Sequence, residues 1–317
     1  TLEQPNVLFR IWLVMWCVCS QCVFGCLSVI FYGNEYKLVR EEIRNGYYPA
    51  WQYHVALVIV SVPMVFLLAL AVITGNAYGV GDFDWSNYFP QLLNLYVNHL
   101  VFEAFAQASS VQFDNVIIGM LNYVGYWFNG FLFMGMMLDL ENCFDVFKWM
   151  SYAFPFKYSY GMAVYLEYEG RDLTPFGDGA VDAGAGKHGS RGVELCPATA
   201  NLSTGPMTVA AYKQANAGNA QGNCNYKGHA MDWSTGMSVA TGYTCGAYAS
   251  YSHVCYGASG KEALDTINRL GYSAVTDEDF LLENFLGMLV LLVLNKLTHV
   301  VFFNGKVHKA SKLLKAV

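Results

Sequence analysis

Few residues in this chain are arranged to do covalent chemistry. The nearest approach to a phosphate-binding loop is Gly184-Ala185-Gly186-Lys187-His188. That loop requires glycine five residues before the Gly-Lys pair and serine or threonine after it, and those positions hold Val181 and His188. His188, His229 and His253 share one long segment without metal-ligand spacing, so they are read as solvated loop histidines and no metal is expected. Cys17, Cys19, Cys22 and Cys26 crowd one apolar stretch at spacings that match neither zinc nor haem motifs; small packing residues are the simpler reading. No catalytic motif is present. One ionisable residue stands out: Glu103 lies inside an apolar stretch, where a carboxylate is costly and often functional. It is expected either to pair with His99, one helical turn earlier, to lie near an aqueous end, or to serve function.

The elements that position these residues belong to a membrane protein. Hydrophobic residues make up 55% of 317 and charged residues 13%, and the mean hydropathy is +0.29, a balance suited to lipid rather than water as solvent. A net charge of −6 without a basic stripe excludes nucleic-acid binding. Five stretches approach the roughly 20 apolar residues that a bilayer core of about 30 Å demands: 7–31, 55–73 with Pro63 as an expected kink, 88–108, 115–138 and 280–303. The third contains His99 and Glu103 and is expected to face protein, not lipid.

Orientation follows from Lys and Arg, which are retained on the cytoplasmic side. Lys306, Lys309, Lys312 and Lys315 in the tail and Lys37, Arg40 and Arg44 in the first loop place both inside, leaving 79–86 and 141–279 outside. An odd number of spans leaves the N-terminus outside, and the chain opens on Thr1 without a leader pattern, so an earlier span is expected to be missing. Cys196, Cys224, Cys245 and Cys255 all fall in the long outer segment, an even number on the oxidising side that makes two disulfides plausible. The sequon Asn201-Leu202-Ser203 is usable on that side. Within this Gly-rich segment one helix is legible, 261–270, with Leu264, Ile267 and Leu270 on one face and Gly271 as its stop. Glu35, Lys37, Arg40, Glu41, Glu42 and Arg44 form either a solvated amphipathic segment or a short helix that docks onto a soluble partner.

Read in order, these pieces resemble the membrane domain of ABC transporters of subfamily G, the white/sterol/multidrug half-transporter type. Glu42-Ile43-Arg44-Asn45-Gly46-Tyr47-Tyr48, then Tyr53 and Pro63, is similar to that family's coupling helix and the span after it. Phe128-Asn129-Gly130-Phe131-Leu132, Trp149-Met150-Ser151-Tyr152, Phe154-Pro155-Phe156-Lys157-Tyr158 and Leu166-Glu167-Tyr168 resemble its fifth span, re-entrant outer helices and closing element. Cys196-Pro197, the Asn201 sequon and Cys224-Asn225-Tyr226 resemble its outer loop. The outer loop is longer than usual for the family, and Lys296 stands where Arg is commoner.

The resemblance implies an all-α polytopic membrane protein of about five transmembrane helices, the second to sixth of an ABC-2 type six-helix domain, with re-entrant helices and a long disulfide-containing outer loop. Residues 1–140 would hold four spans and a cytoplasmic coupling helix at 34–48 (Glu35, Arg40, Glu42, Arg44, Tyr47), residues 141–279 the re-entrant helices and outer loop, and residues 280–317 the last span and basic tail. It implies a homo- or heterodimer in the plasma membrane that encloses a cavity lined by Trp16, Ser20, Val23, Phe24, Asn122, Tyr123 and Tyr126, with Phe131 and Leu132 as an apolar plug. Ordinary helix packing or lipid contact is an equal reading of each of these residues. Family order pairs Cys196 with Cys255 and Cys224 with Cys245. The implied function is the permease half of an ATP-driven exporter of lipid, sterol or other hydrophobic small molecules, with ATP and Mg held by a nucleotide-binding domain in a longer chain or a separate partner. The alternative is a non-transporting membrane subunit that acts in adhesion or assembly through its outer loop.

Overall fold

The structure, a computed structural model, describes residues 2–3, 6–81, 83–138, 140, 143–171, 173–174, 224–225, 229–232, 237–240, 244–245, 260–269, 271–272 and 278–315. The chain divides into two compact units, Leu13–Glu167 with Gly271–Val317, and Thr1–Trp12 with Tyr168–Leu270.

The first apolar stretch is a helix in two parts, α1 (Asn6–Cys19), of which the residues from Leu13 on belong to the larger unit, and α2 (Gly25–Arg44), joined by a tighter 3₁₀ turn at Gln21–Phe24. The segment expected as a separate coupling helix is instead the end of α2. Gly33, the residue best able to stop the helix, is a packing glycine: a Cβ there would lie 3.0 Å from Val116 Cγ2. The helix ends at Arg44, where Gly46 takes φ 82, and the amides of Gly46 and Tyr47 close onto the carbonyls of Ile43 and Glu42 at 3.1 Å each. Pro49 then starts α3 (Ala50–Val72), which holds Pro63 inside it and widens into a π-helical segment, Ile73–Val80. The helices α4 (Tyr88–Gln112), α5 (Val116–Leu132), α6 (Asp145–Ser151) and α7 (Pro155–Tyr168) follow, and the chain closes with a 38-residue helix, Glu278–Lys315.

Among the described residues, three helical stretches are long and apolar enough to cross a membrane: Phe9–Arg44, Ala50–Gly79 and Glu278–Val307. The fold is thus a helical, polytopic one, as expected. The apolar helix α5 is shorter; it stops at Leu132 rather than 138 because Phe133 turns inward to stack on Phe147 and Phe154, and Gly135 reverses the chain at φ 96. The helix α4 is the centre of the unit and packs against α2, α3, α5 and the last helix. It buries Gln91, Asn94, Asn98, His99 and Gln107, so it faces protein as its sequence indicated. Its amides grip α7: Asn87 donates to Leu166 O (2.7 Å), Gln91 to Ala163 O (2.8 Å) and Asn94 to Ser159 O (2.9 Å). Donors at successive turns of one helix thus meet carbonyls at successive turns of another, each burying a polar group with its partner in place.

In the smaller unit Tyr168 donates to Val7 O at 2.7 Å, and α8 (Gly260–Arg269) buries Ala263, Leu264 and Ile267. The legible helix is therefore present on the expected face, with Gly271 at φ 88 after it; Leu270 lies outside the described residues. A Cβ on Gly260 would lie 1.7 Å from Tyr168 O, which admits only glycine there. Short strand pairs complete the unit. Leu2–Glu3 runs parallel to Leu173–Thr174, His229–Asp232 pairs antiparallel with Met237–Ala240, and Cys224–Asn225 pairs antiparallel with Thr244–Cys245, setting Cys224 opposite Cys245.

Candidate transport surface and coupling turn

The 3₁₀ break in the first helix frees backbone carbonyls, which within lipid must find partners. Side chains from two neighbouring helices supply them. Asn98 of α4 donates to Val18 O (3.1 Å), Trp127 of α5 to Cys19 O (3.0 Å) and Tyr123 of α5 to Cys22 O (2.5 Å). Gly25 makes room for this docking, since a Cβ there would lie 2.1 Å from the Tyr123 hydroxyl oxygen. The first span, α4 and α5 are thereby fixed together at the level of Ser20, Val23 and Phe24.

The residues expected to line a cavity divide in two. Trp16 and Phe24 are 53% and 65% exposed, in line with exposed Leu27 and Phe31, and they form an apolar, largely aromatic stripe on the first helix. Val23 is half-buried, and Ser20 returns its hydroxyl to Trp16 O at 2.6 Å. The three residues of α5 turn inward instead. Tyr123 is fully buried and has no surface to offer a cavity; Asn122 donates to Ser109 Oγ (3.1 Å); Tyr126 donates to Ala153 O (3.0 Å) and stacks on Phe105 at 3.8 Å. What α5 exposes is Ile117, Ile118, Leu121 and Phe128, a helical stripe readable from its spacing but passed over for the polar and tyrosine residues beside it. Phe131 stacks on Trp127 with centroids 5.7 Å apart, and Leu132 packs against Phe133, Leu140 and Phe154, so both are tied to α5 and the turn after it.

Glu103 is not paired with His99. The His99 ring Nδ1 is 2.7 Å from Leu95 O, on its own helix, whereas Glu103 accepts a hydrogen bond from the Tyr32 hydroxyl on α2 and another from the Gln107 amide at 3.4 Å. Lys296 of the last helix donates to Gln107 Oε1 at 2.6 Å, so its ammonium reaches the same cluster. Sequence spacing suggested His99 on the same helix; the same-helix partner is Gln107 instead, Tyr32 lies 71 residues away, and Lys296 reaches Gln107 from 189 residues away, which no local pattern reveals.

At the end of α2, Glu35 is half-buried, Arg40 lies 6.0 Å from the Tyr36 ring centroid, and Glu42, Arg44 and Tyr47 are exposed. Tyr48 donates to Glu42 Oε2 at 2.5 Å, and burial together with that carboxylate pushes its hydroxyl up to about 12. The turn is braced from beneath by a cluster of Tyr36, Val39, Tyr53, Leu57, Val111 and Phe303. Lys306 bridges to Asp114 at 2.6 Å, joining the last helix to the turn between α4 and α5. Cys196, Cys255 and Asn201 lie outside the described residues. Among the described residues no group of His, Cys, Asp or Glu could hold a metal ion.

A protein-family model described as "ABC-2 type transporter" matches residues 2–168, from the first strand to the end of α7. No curated protein matches the chain.

Proposed function

The chain belongs to the ABC-2 type transporter family as a membrane permease component, and on that premise we propose that it is half of a subfamily G-type exporter of lipid, sterol or another hydrophobic small molecule. The observation that carries the substrate class is the exposed stripe of Trp16, Phe24, Leu27 and Phe31, which is apolar and aromatic with no ionisable group among its members. Such a surface suits a flat hydrophobic molecule and suits an ion or sugar poorly. A dimer would set two such stripes around one cavity, with Phe131 and Leu132 as its outer plug. ATP and Mg would act through a nucleotide-binding domain, with the end of α2 from Glu35 and the turn after it to Tyr48 receiving its motion. The plasma membrane is the proposed site, with the Asn201 sequon glycosylated on the outside.

The strand register supports one of the two disulfides. Residues opposite one another in an antiparallel pair have Cα atoms about 4.5–5.5 Å apart, within the range of about 4.4–6.8 Å that a disulfide spans. A Cys224–Cys245 bridge is therefore proposed; Cys196 with Cys255 rests on family order.

The test is reconstitution of the full-length protein with its ATPase in proteoliposomes. Trp16→Ala and Phe24→Ala are expected to lower substrate-stimulated ATP hydrolysis and efflux together, Phe131→Ala to let substrate leak back, and Glu42→Ala to leave ATP hydrolysis running without transport. Efflux that is unchanged in all four variants refutes this reading.

A further inference from the structure

The short helix α6 is exposed from Asp145 to Met150, and Phe144 before it is exposed as well. Five of these residues are apolar: Phe144 (81% exposed), Val146, Phe147, Trp149 (77%) and Met150. At 100° per residue their positions go right round the helix. A helix that docks on a protein hides one face, whereas one that is apolar all round suits a lipid solvent. Its place in the fold agrees. Tyr126 holds the turn after α6 at Ala153 O, and Phe156 at the start of α7 packs on Phe102 with centroids 4.5 Å apart, so this turn is level with the middle of α4. The α4 helix itself runs beside the Ala50–Gly79 span, with the Tyr88 hydroxyl 2.8 Å from Thr74 Oγ1 and Tyr96 donating to Val62 O at 3.3 Å. Seven helical residues rise only about 10 Å, so α6 stands beside that span and not beyond its end.

Two cations share this surface. Lys157 Nζ lies 3.2 Å from the centroid of the Tyr152 ring, and Lys148 precedes Tyr152 by one turn. Tyr152 keeps a helical backbone (φ −68, ψ −16), so Lys148 and Tyr152 lie on one face. The frame is held by Ser151 Oγ, which donates to Lys148 O at 2.7 Å, and by the Tyr158 hydroxyl, which donates to Tyr152 O at 2.9 Å. Among the described residues neither ammonium forms an ion pair, and Asp145, three residues before Lys148, pairs with neither. Like charges without a counter-ion repel strongly beside lipid, and a shared anion removes that cost. We propose that Lys148 and Lys157 bind the phosphate of an anionic phospholipid whose acyl chains lie against Phe144, Val146 and Trp149. One molecule supplies both chemistries, phosphate for the ammoniums and hydrocarbon for the rings, and long lysine stems reach toward the headgroup level. Free phosphate would leave the apolar residues uncovered. The proposal rests on the membrane family and not on the identity of the exported molecule.

The experiment places the full-length protein at neutral pH in nanodiscs of phosphatidylcholine with a minor share of phosphatidylglycerol, and counts retained lipids by native mass spectrometry. The wild type is expected to keep phosphatidylglycerol in excess of its share. Lys148→Gln and Lys157→Gln should each weaken that retention about fivefold, and Lys148→Arg should preserve it. Phosphatidylglycerol brominated on its acyl chains is expected to quench the fluorescence of the wild type more than that of Trp149→Phe, which locates the lipid at α6. No excess in the wild type, or an excess that survives in the double glutamine variant, overturns the proposal. A double variant that keeps its phosphatidylglycerol but loses self-association overturns it too, and gives the face to a second copy. Trp149 out of reach of the brominated chains means that protein covers it, and is equally fatal.

Discussion

The hydroxyl of Tyr32 on α2 donates to the carboxylate of Glu103 on α4, and the carboxylate also accepts from Gln107, which in turn receives Lys296. Removing the acceptor strands the Tyr32 hydroxyl and takes the carboxylate's charge from the cluster that the Lys296 ammonium enters through Gln107. Glu103→Ala is expected to cost about 2–4 kcal/mol and Glu103→Gln less, since the amide oxygen still accepts from Tyr32. Thermal unfolding in detergent checks this. Adding Lys296→Met to Glu103→Ala should recover part of the loss, and full additivity of the two changes would show that the ammonium does not feel the carboxylate.

Gly25 faces the Tyr123 ring so closely that any β-carbon collides with it. Gly25→Ala should destabilise by about 1–3 kcal/mol through displacement of α5 from the first span. Gly25→Ala combined with Tyr123→Leu should lose less than the sum of the two single changes, because the leucine vacates the space. The melting temperatures of the three variants decide it.

At the end of α2 the cost of a β-carbon has a different origin. Gly46 has φ 82 and no neighbouring atom within 4 Å of the place a Cβ would take, so Gly46→Ala meets no clash and suffers only from its left-handed backbone. About 1 kcal/mol is expected, and Gly46→Asn should cost less. Equal losses for alanine and asparagine, measured by thermal unfolding, would mean that the turn is held by something other than this conformation.

Lys157 sits with its ammonium 3.2 Å from the centroid of the Tyr152 ring, in a helix outside the three candidate spans. Burial, and then the nearby Lys148, lower its ionisation to about 8, while the ring face under the ammonium favours the charged form. The ordinary lysine value is about 10.4, so between the two the unfolded chain holds more protons than the folded one, and stability rises with pH across that window. Below about pH 8 the penalty is fully present. Melting temperature is expected to climb from pH 8 toward pH 10 and to climb less in Lys157→Met; identical slopes would remove Lys157 as the cause.

Much of this architecture was written in local patterns. The apolar stretches, the protein-facing character of α4, the α8 face of Leu264 and Ile267 and the glycine stop at Gly271 all follow from periodicity and composition, which act within a few turns. The polar partnerships were not legible. Glu103 with Tyr32, Asn98 with Val18 and Tyr123 with Cys22 each join residues at least 71 positions apart, and nothing in the neighbouring sequence marks which distant helix will arrive. The family resemblance implied that Tyr123 and Tyr126 line a cavity, with ordinary helix packing as an equal reading. The carbonyls freed by the 3₁₀ break and by the turn at Ala153 claimed their hydroxyls instead.

The amide ladder between α4 and α7 has a consequence for how the protein is made. Gln91 finds its acceptor 72 residues later in the chain. At a synthesis rate of about 5–20 residues per second, α4 leaves the ribosome several seconds before α7 exists. During that interval Asn87, Gln91 and Asn94 would have to enter hydrocarbon unsatisfied, so α4 must wait in the insertion machinery, or at its aqueous edge, until α7 is delivered, and the two then enter the bilayer as a pair.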